Sequence, residues 1–181
     1  MTNTLISVTS VYLTAIVYGQ KGKTMANNIK VGPFSIGSLI ALIGAILGII
    51  AVFLVWFDYS ASLVFTTYKY NITGMGFLSE SNIADGFYKY CPLIAFILAI
   101  IVAVLNILPL LKVNIDAKII NIGSIVLGLV MIVLVVIWGT AKIISGLDTT
   151  GFSYTGIGAW LMIVGGVLAA AGGAANMFLK N

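Results

Sequence analysis

Few residues in this chain could do acid–base, nucleophilic or metal chemistry. It has no histidine, and its one cysteine is Cys91. That excludes a histidine general base, a His/Cys metal cluster and an internal disulfide. The five carboxylates are Asp58, Glu80, Asp85, Asp116 and Asp148. Two close carboxylates can serve as acid and base, or bind calcium together with carbonyl oxygens. Glu80 and Asp85 lack calcium-loop spacing, and Asp58 and Asp148 stand at the ends of apolar runs, so solvated loop charges are expected. No catalytic, cofactor-binding or metal site is expected, and the chain is not read as an enzyme. All nine basic residues are lysines, scattered rather than clustered. That pattern excludes nucleic acid as a partner.

The charges are sparse because the rest is apolar. The chain has 181 residues, 61% of them hydrophobic and 8% charged, where a soluble domain carries about 25% charge. Uncharged runs of 27 residues lie between Lys30 and Asp58, 22 between Lys89 and Lys112, and 23 between Lys118 and Lys142. After Asp148 no charge recurs until Lys180. A helix needs about 20 apolar residues to cross the hydrocarbon core. The expected fold is an all-α membrane protein, a four-helix transmembrane bundle with helices at about 35–57, 91–111, 118–139 and 156–178. These make a four-span domain over residues 31–181, joined by an outer loop at 58–90. Residues 1–30 are a separate N-terminal extension, cytoplasmic or surface-associated. Its apolar run Leu5–Tyr18 is too short to span, and reads either as an upstream extension or as a short amphipathic helix on the membrane surface.

Lysine placement sets the expected orientation. Lys21, Lys23, Lys30, Lys112, Lys118 and Lys180 fall on one side; Lys69, Lys89 and Lys142 fall on the other over a longer stretch. Both termini of this multi-pass cell-membrane protein should then be cytoplasmic. Asn71-Ile72-Thr73, an N-glycosylation acceptor sequence, lies in the loop expected outside. Trp56, Trp138 and Trp160 all fall at the outer ends of spans, so they are expected to be interface anchors at headgroup level.

Lipid is as apolar as leucine, so the helices must associate through close backbone approach at small residues. Gly44 and Gly48 supply this on the first span, Ser124 and Gly128 on the third, and Gly165, Ala169 and Gly173 on the fourth. Ala95, Ala99 and Ala103 recur at four-residue spacing on the second. No charged residue lies inside a span; the polar residues there are Asn106, Asn121, Ser124 and Asn176. Asn106, close to Pro109, is expected to bond a carbonyl freed by the proline or to reach a neighbouring helix. Asn121 and Asn176 are expected in water at the cytoplasmic interface.

The outer loop is long for a minimal bundle, and such loops usually hold structure. Ser62–Thr73 is rich in β-branched and aromatic residues and reads as a strand. A turn at Thr73–Gly76 and a short return strand at Phe77–Leu78 should follow, and Asp85–Tyr90 should extend the second span. Tyr68, Tyr70 and Phe77 are expected to pack on the third connection near Thr149–Tyr154.

This layout resembles the claudin-like tetraspan superfamily over about residues 31–180. Trp56 stands near the position of that family's first-loop Trp, while the Gly-Leu-Trp and paired cysteines that follow it are missing here. The chain also resembles uncharacterised prokaryotic four-span proteins through Trp56, Thr73-Gly74-Met75-Gly76 and Gly156-Ile157-Gly158-Ala159-Trp160. The lysine, isoleucine and asparagine bias without arginine agrees with an AT-rich prokaryotic genome. These resemblances imply a fold rather than an activity. The expected function is that of a membrane protein without catalysis, an accessory subunit or cell-surface interaction protein acting through its outer cap. Its partners would be the lipid bilayer and a membrane protein or second copy. The alternative is a small oligomeric channel or transporter with a polar path near Asn106 and Ser124.

Overall fold

The computed structural model describes residues 30–31, 34–63, 65–79, 86–113, 115–140 and 150–178. The expected N-terminal extension lies outside these residues apart from Lys30, as do Glu80, Asp85, Asp148 and most of the third connection. The elements in chain order are β1 (Lys30–Val31), β2 (Phe34–Ser35), α1 (Ile36–Ala51), β3 (Val55–Leu63), β4 (Thr66–Thr73), α2 (Cys91–Ile107), α3 (Ala117–Thr140) and α4 (Ile157–Phe178). Short 3₁₀ turns at Gly76–Leu78, Gly86–Tyr90, Leu108–Leu111 and Gly151–Tyr154 join them.

Among the described residues, three helical segments are long and apolar enough to cross a membrane: Gly86–Ile107 with 22 residues, Ala117–Thr140 with 24 and Ile157–Phe178 with 22. They lie where the second, third and fourth spans are expected. The first differs. An uninterrupted helix to residue 57 is expected, yet α1 has 16 residues and stops at Ala51. At about 1.5 Å per residue it is about 24 Å long, against a hydrocarbon core of about 30 Å.

The N-terminus of α1 is capped by Ser35, whose Oγ accepts from Ser38 N at 3.2 Å. Its C-terminus tightens into a final turn, with Phe53 N donating to Ile50 O at 3.1 Å and Leu54 N to Ala51 O at 3.2 Å. The next carbonyls then bond to a different element. Met75 N donates to Val52 O at 3.1 Å and Gly74 N to Leu54 O at 3.2 Å. From Val55 the chain is a strand, because Phe57, Tyr59 and Ala61 alternate with Asp58, Ser60 and Ser62, a period that fits a half-buried strand and not a helix. β3 and β4 form an antiparallel hairpin with Phe57 opposite Ile72, Tyr59 opposite Tyr70 and Ala61 opposite Tyr68. The hairpin therefore starts inside the expected first span. β4 is the return strand rather than the outgoing one, and Phe77–Leu78 is a 3₁₀ turn, not a strand.

The four helices form an antiparallel ring in which each packs on the next and α4 closes on α1. Glycine decides the closest contacts. A Cβ added at Gly44 would lie 2.5 Å from Gly165 O, and one at Gly165 would lie 2.6 Å from Gly44 O. On the other flank of α4, a Cβ at Gly128 would meet Gly166 O at 2.6 Å, and one at Gly173 would meet Asn121 O at 2.6 Å. Gly158, Gly165 and Gly172 face α1 at seven-residue spacing, while Gly166 and Gly173 face α3. A seven-residue repeat keeps a stripe on one neighbour when helices cross at a shallow angle. In the middle of the ring, a Cβ on Gly48 would meet Met131 Cε at 2.7 Å and Ala99 Cβ at 3.0 Å. Met131 and Met162 are both buried there and fill the bundle axis.

A large side chain at Gly44 must push α1 off α4, whereas trimming nearby Leu42 removes contact from a half-buried position. Gly44→Leu is expected to lose about 1–3 kcal/mol by overpacking, and more than Leu42→Ala. Thermal unfolding of both variants in one detergent checks this; equal midpoints would place the Gly44 face away from a helix contact.

Candidate functional site

The hairpin end of the bundle is organised around Trp56. The strand register slips there: Val55 pairs with Thr73 and Phe57 with Ile72, leaving Trp56 as an unpaired bulge residue. In a regular strand neighbouring side chains point to opposite faces. The bulge re-aims one of them, so Trp56 and Phe57 are both buried with no exposed surface. Trp56 Nε1 donates to Ala51 O at 2.8 Å, a second bond to the carbonyl at the end of α1 that also accepts from Leu54 N. Its own carbonyl accepts from Gly156 N at 2.7 Å, which ties the third connection to the hairpin. Two glycines make room for the indole. A Cβ at Gly74 would lie 2.9 Å from Trp56 Nε1, and one at Gly158 would lie 2.5 Å from Trp56 Cδ1.

Around this centre the aromatic rings meet edge to face, the arrangement their quadrupoles favour. Trp56 meets Trp138 with ring centroids 5.4 Å apart and planes at 86°. Trp138 meets Phe77 at 5.7 Å and 83°. Tyr154 stands against both Phe57, at 5.6 Å, and Tyr59, at 5.1 Å. A backbone bridge between Phe57 and Thr155 adds the third connection to the free edge of β3. Cys91 is buried in the same cluster, its Sγ 3.7 Å from Phe87 O. Trp138 Nε1 is buried and has no hydrogen-bond partner among the described residues.

Two of the three expected interface anchors are therefore corrected. Trp56 and Trp138 are buried inside the protein and cannot face headgroups; Trp160 is 57% exposed. The physical reason is that α1 ends early and the bulge turns Trp56 inward, where Trp138 packs on it. Of the aromatics expected to order the loop, Phe77 is buried, while Tyr68 is 62% and Tyr70 37% exposed. Phe57 and Tyr59 are the ring contacts to Tyr154 of the third connection. Asn71 is exposed on β4, opposite Asp58; with its amide turned to donate, it reaches Asp58 Oδ1 at 2.8 Å.

The opposite end is held by polar side chains. Asn106 Nδ2 donates to Ser124 Oγ at 2.9 Å and to Val102 O at 2.9 Å. Asn106 thus reaches the neighbouring helix, and the carbonyl it bonds is one turn back on its own helix. Asn176 Nδ2 donates to Ser38 Oγ at 3.0 Å and to Asn121 Oδ1 at 3.3 Å. Asn121 is buried between helices rather than wet. Each helix supplies a member of this layer, so it fixes register between helices. Asn106 and Ser124 are buried and bonded to one another.

No family model, curated protein or solved structure matches the chain.

The two buried tryptophans allow a direct comparison. Trp56→Phe removes the indole bond to the Ala51 carbonyl, which then keeps only its bond from Leu54 N, at a cost of about 0.5–1.5 kcal/mol beyond the lost ring volume. Trp138→Phe removes a similar volume and an N–H that has no partner among the described residues. Trp56→Phe should lower the unfolding midpoint in detergent clearly more than Trp138→Phe; equal losses would mean that the indole hydrogen bond contributes nothing.

Proposed function

We propose that this is a four-span membrane protein without catalytic activity, and that it acts as an accessory subunit or cell-surface interaction protein through the β3–β4 cap. In this reading α1 crosses the bilayer with help from the turn at Val52–Leu54, both chain ends are cytoplasmic and the hairpin is outside. The observation that carries it is the ordered cap. A hairpin tied by Trp56 to α1, to the Gly74 turn and to the third connection offers a fixed surface. Its outward face consists of Asp58, Ser60, Ser62, Thr67, Lys69 and Asn71, all exposed. A fixed polar surface of that kind suits recognition by another membrane protein or a second copy, because its backbone is already ordered and less entropy is lost on binding. Asn71 on this face is accessible to glycosylation where the host carries that machinery.

The geometry favours this reading over a pore. Met131 and Met162 fill the axis of the single bundle, and the polar pair Asn106–Ser124 is satisfied internally. The resemblance to claudin-like tetraspans concerns the same layout, a strand-bearing loop between the first two helices, and supports architecture only.

The test is photo-crosslinking in native membranes from a benzophenone placed at Ser62, with an impermeant maleimide reading the side of an Asn82→Cys thiol. Labelling from outside and a discrete adduct of defined mass are expected. Monomer alone, or labelling only after lysis, would overturn the proposal. Liposome ion flux above background that disappears in Asn106→Leu would establish the channel instead.

A further inference from the structure

The hairpin has two chemically distinct faces. Past the bulge, directly opposed residues share a face. Phe57 and Ile72, Tyr59 and Tyr70, and Ala61 and Tyr68 lie on one; Asp58 and Asn71, Ser60 and Lys69, and Ser62 and Thr67 lie on the other. Both charges of the ribbon are on the second face, and the first carries none. Along the first face burial falls with distance from the bundle: Phe57 is 0% exposed, Ile72 3% and Tyr68 62%; Phe65, in the turn at the tip, is 95% exposed. β3 runs four residues beyond Tyr59 to Leu63, about 13 Å at about 3.3 Å each. The root of the apolar face thus rests on the bundle end, and its outer half is left exposed by the described residues.

What lies beside that outer half follows from the length of α1. The helix covers about 24 Å of a hydrocarbon core of about 30 Å, and Val55 follows it by four residues. The ribbon is therefore rooted at headgroup level. The exposed aromatics of the same end, Phe87, Tyr90, Phe152 and Trp160, stand around that level, where amphipathic rings partition. The root of the apolar ribbon face, at Phe57 and Tyr59, meets Tyr154 of the third connection at this same end.

We infer that the distal apolar face of the β3–β4 ribbon, with Tyr68 and the adjoining tip residue Phe65, lies on the outer leaflet at the boundary between headgroups and acyl chains. The ligand is the lipid surface itself. The polar face carrying Lys69 and Asn71 is thereby turned to water. This inference rests on the membrane reading above and adds to it the orientation of the cap. Two paired strands are marginal on their own; here the bundle supports the root and the bilayer supports the tip.

The experiment uses the full chain in phosphatidylcholine liposomes, with nitroxides on single introduced cysteines; Cys91 is buried, and the parent chain shows whether it labels. Ala61→Cys and Tyr68→Cys report one face, Ser62→Cys and Thr67→Cys the other, and Val133→Cys the exposed flank of α3. The ratio of accessibility to oxygen over a water-soluble nickel chelate is expected to be severalfold higher at Ala61 and Tyr68 than at Ser62 and Thr67, approaching that at Val133. If Val133 reads lipid while all four ribbon sites read water, the inference is wrong and the membrane reading stands. If Val133 itself reads water, both fall. Spin–spin broadening at Ala61 and Tyr68 that grows with the protein-to-lipid ratio would give this face to a second copy, and would also overturn the inference.

Discussion

A helix that ends in apolar surroundings must still satisfy its last carbonyls, since each one left bare costs free energy comparable to a lost hydrogen bond. In this protein the early end of α1 sets that demand, and the helix's own final turn, the Gly74 turn and Trp56 meet it together. The indole bonds the Ala51 carbonyl, and the backbone of Gly74 and Met75 bonds those of Leu54 and Val52. Every other feature of the hairpin end follows. The indole must sit between α1 and α4, so Gly158 has no side chain to obstruct it. The chain must return to the helix end, so Gly74 closes the turn. Trp138 and Phe77 then fill the space around the ring.

The opposite end and the middle use other means for the same task. Along α4, glycines facing α1 and glycines facing α3 bring backbones into contact on both flanks, where dispersion replaces the hydrophobic drive that lipid does not supply. At the far end, hydrogen bonds among Ser38, Asn176 and Asn121, and between Asn106 and Ser124, set register. The glycine contacts, the polar layer and the aromatic seal each require one register. Together they define how far along each other the four helices lie.

Much of this was legible in the residues. Charge spacing located α2, α3 and α4 to within a residue or a few, and small-residue spacing named Gly44, Gly128, Gly165 and Gly173, all of which meet a neighbouring backbone. The end of α1 was not legible, because Val52 to Phe57 is as apolar as the helix before it. A strand buried at its root and a helix in lipid share that composition. A signal existed in the two-residue alternation that begins at Phe57 and places Asp58, Ser60 and Ser62 on one side. Reading the strand from Ser62 missed it. The burial of Trp56 and Trp138 was beyond pattern reading: a tryptophan at the end of an apolar run suits the headgroups equally well, and only the bulge between Val55 and Phe57 turns Trp56 inward.

The central claim is that Trp56 joins α1, the hairpin and the third connection into one unit. Hydrogen exchange in lipid nanodiscs, followed by NMR at the indole proton of Trp56 and the amides of Met75 and Gly156, tests it most directly. The account predicts that all three are protected and open together, with the Trp56 indole exchanging far more slowly than that of the exposed Trp160. A Trp56 indole that exchanges as fast as Trp160, or a Gly156 amide that opens independently of it, would contradict the account.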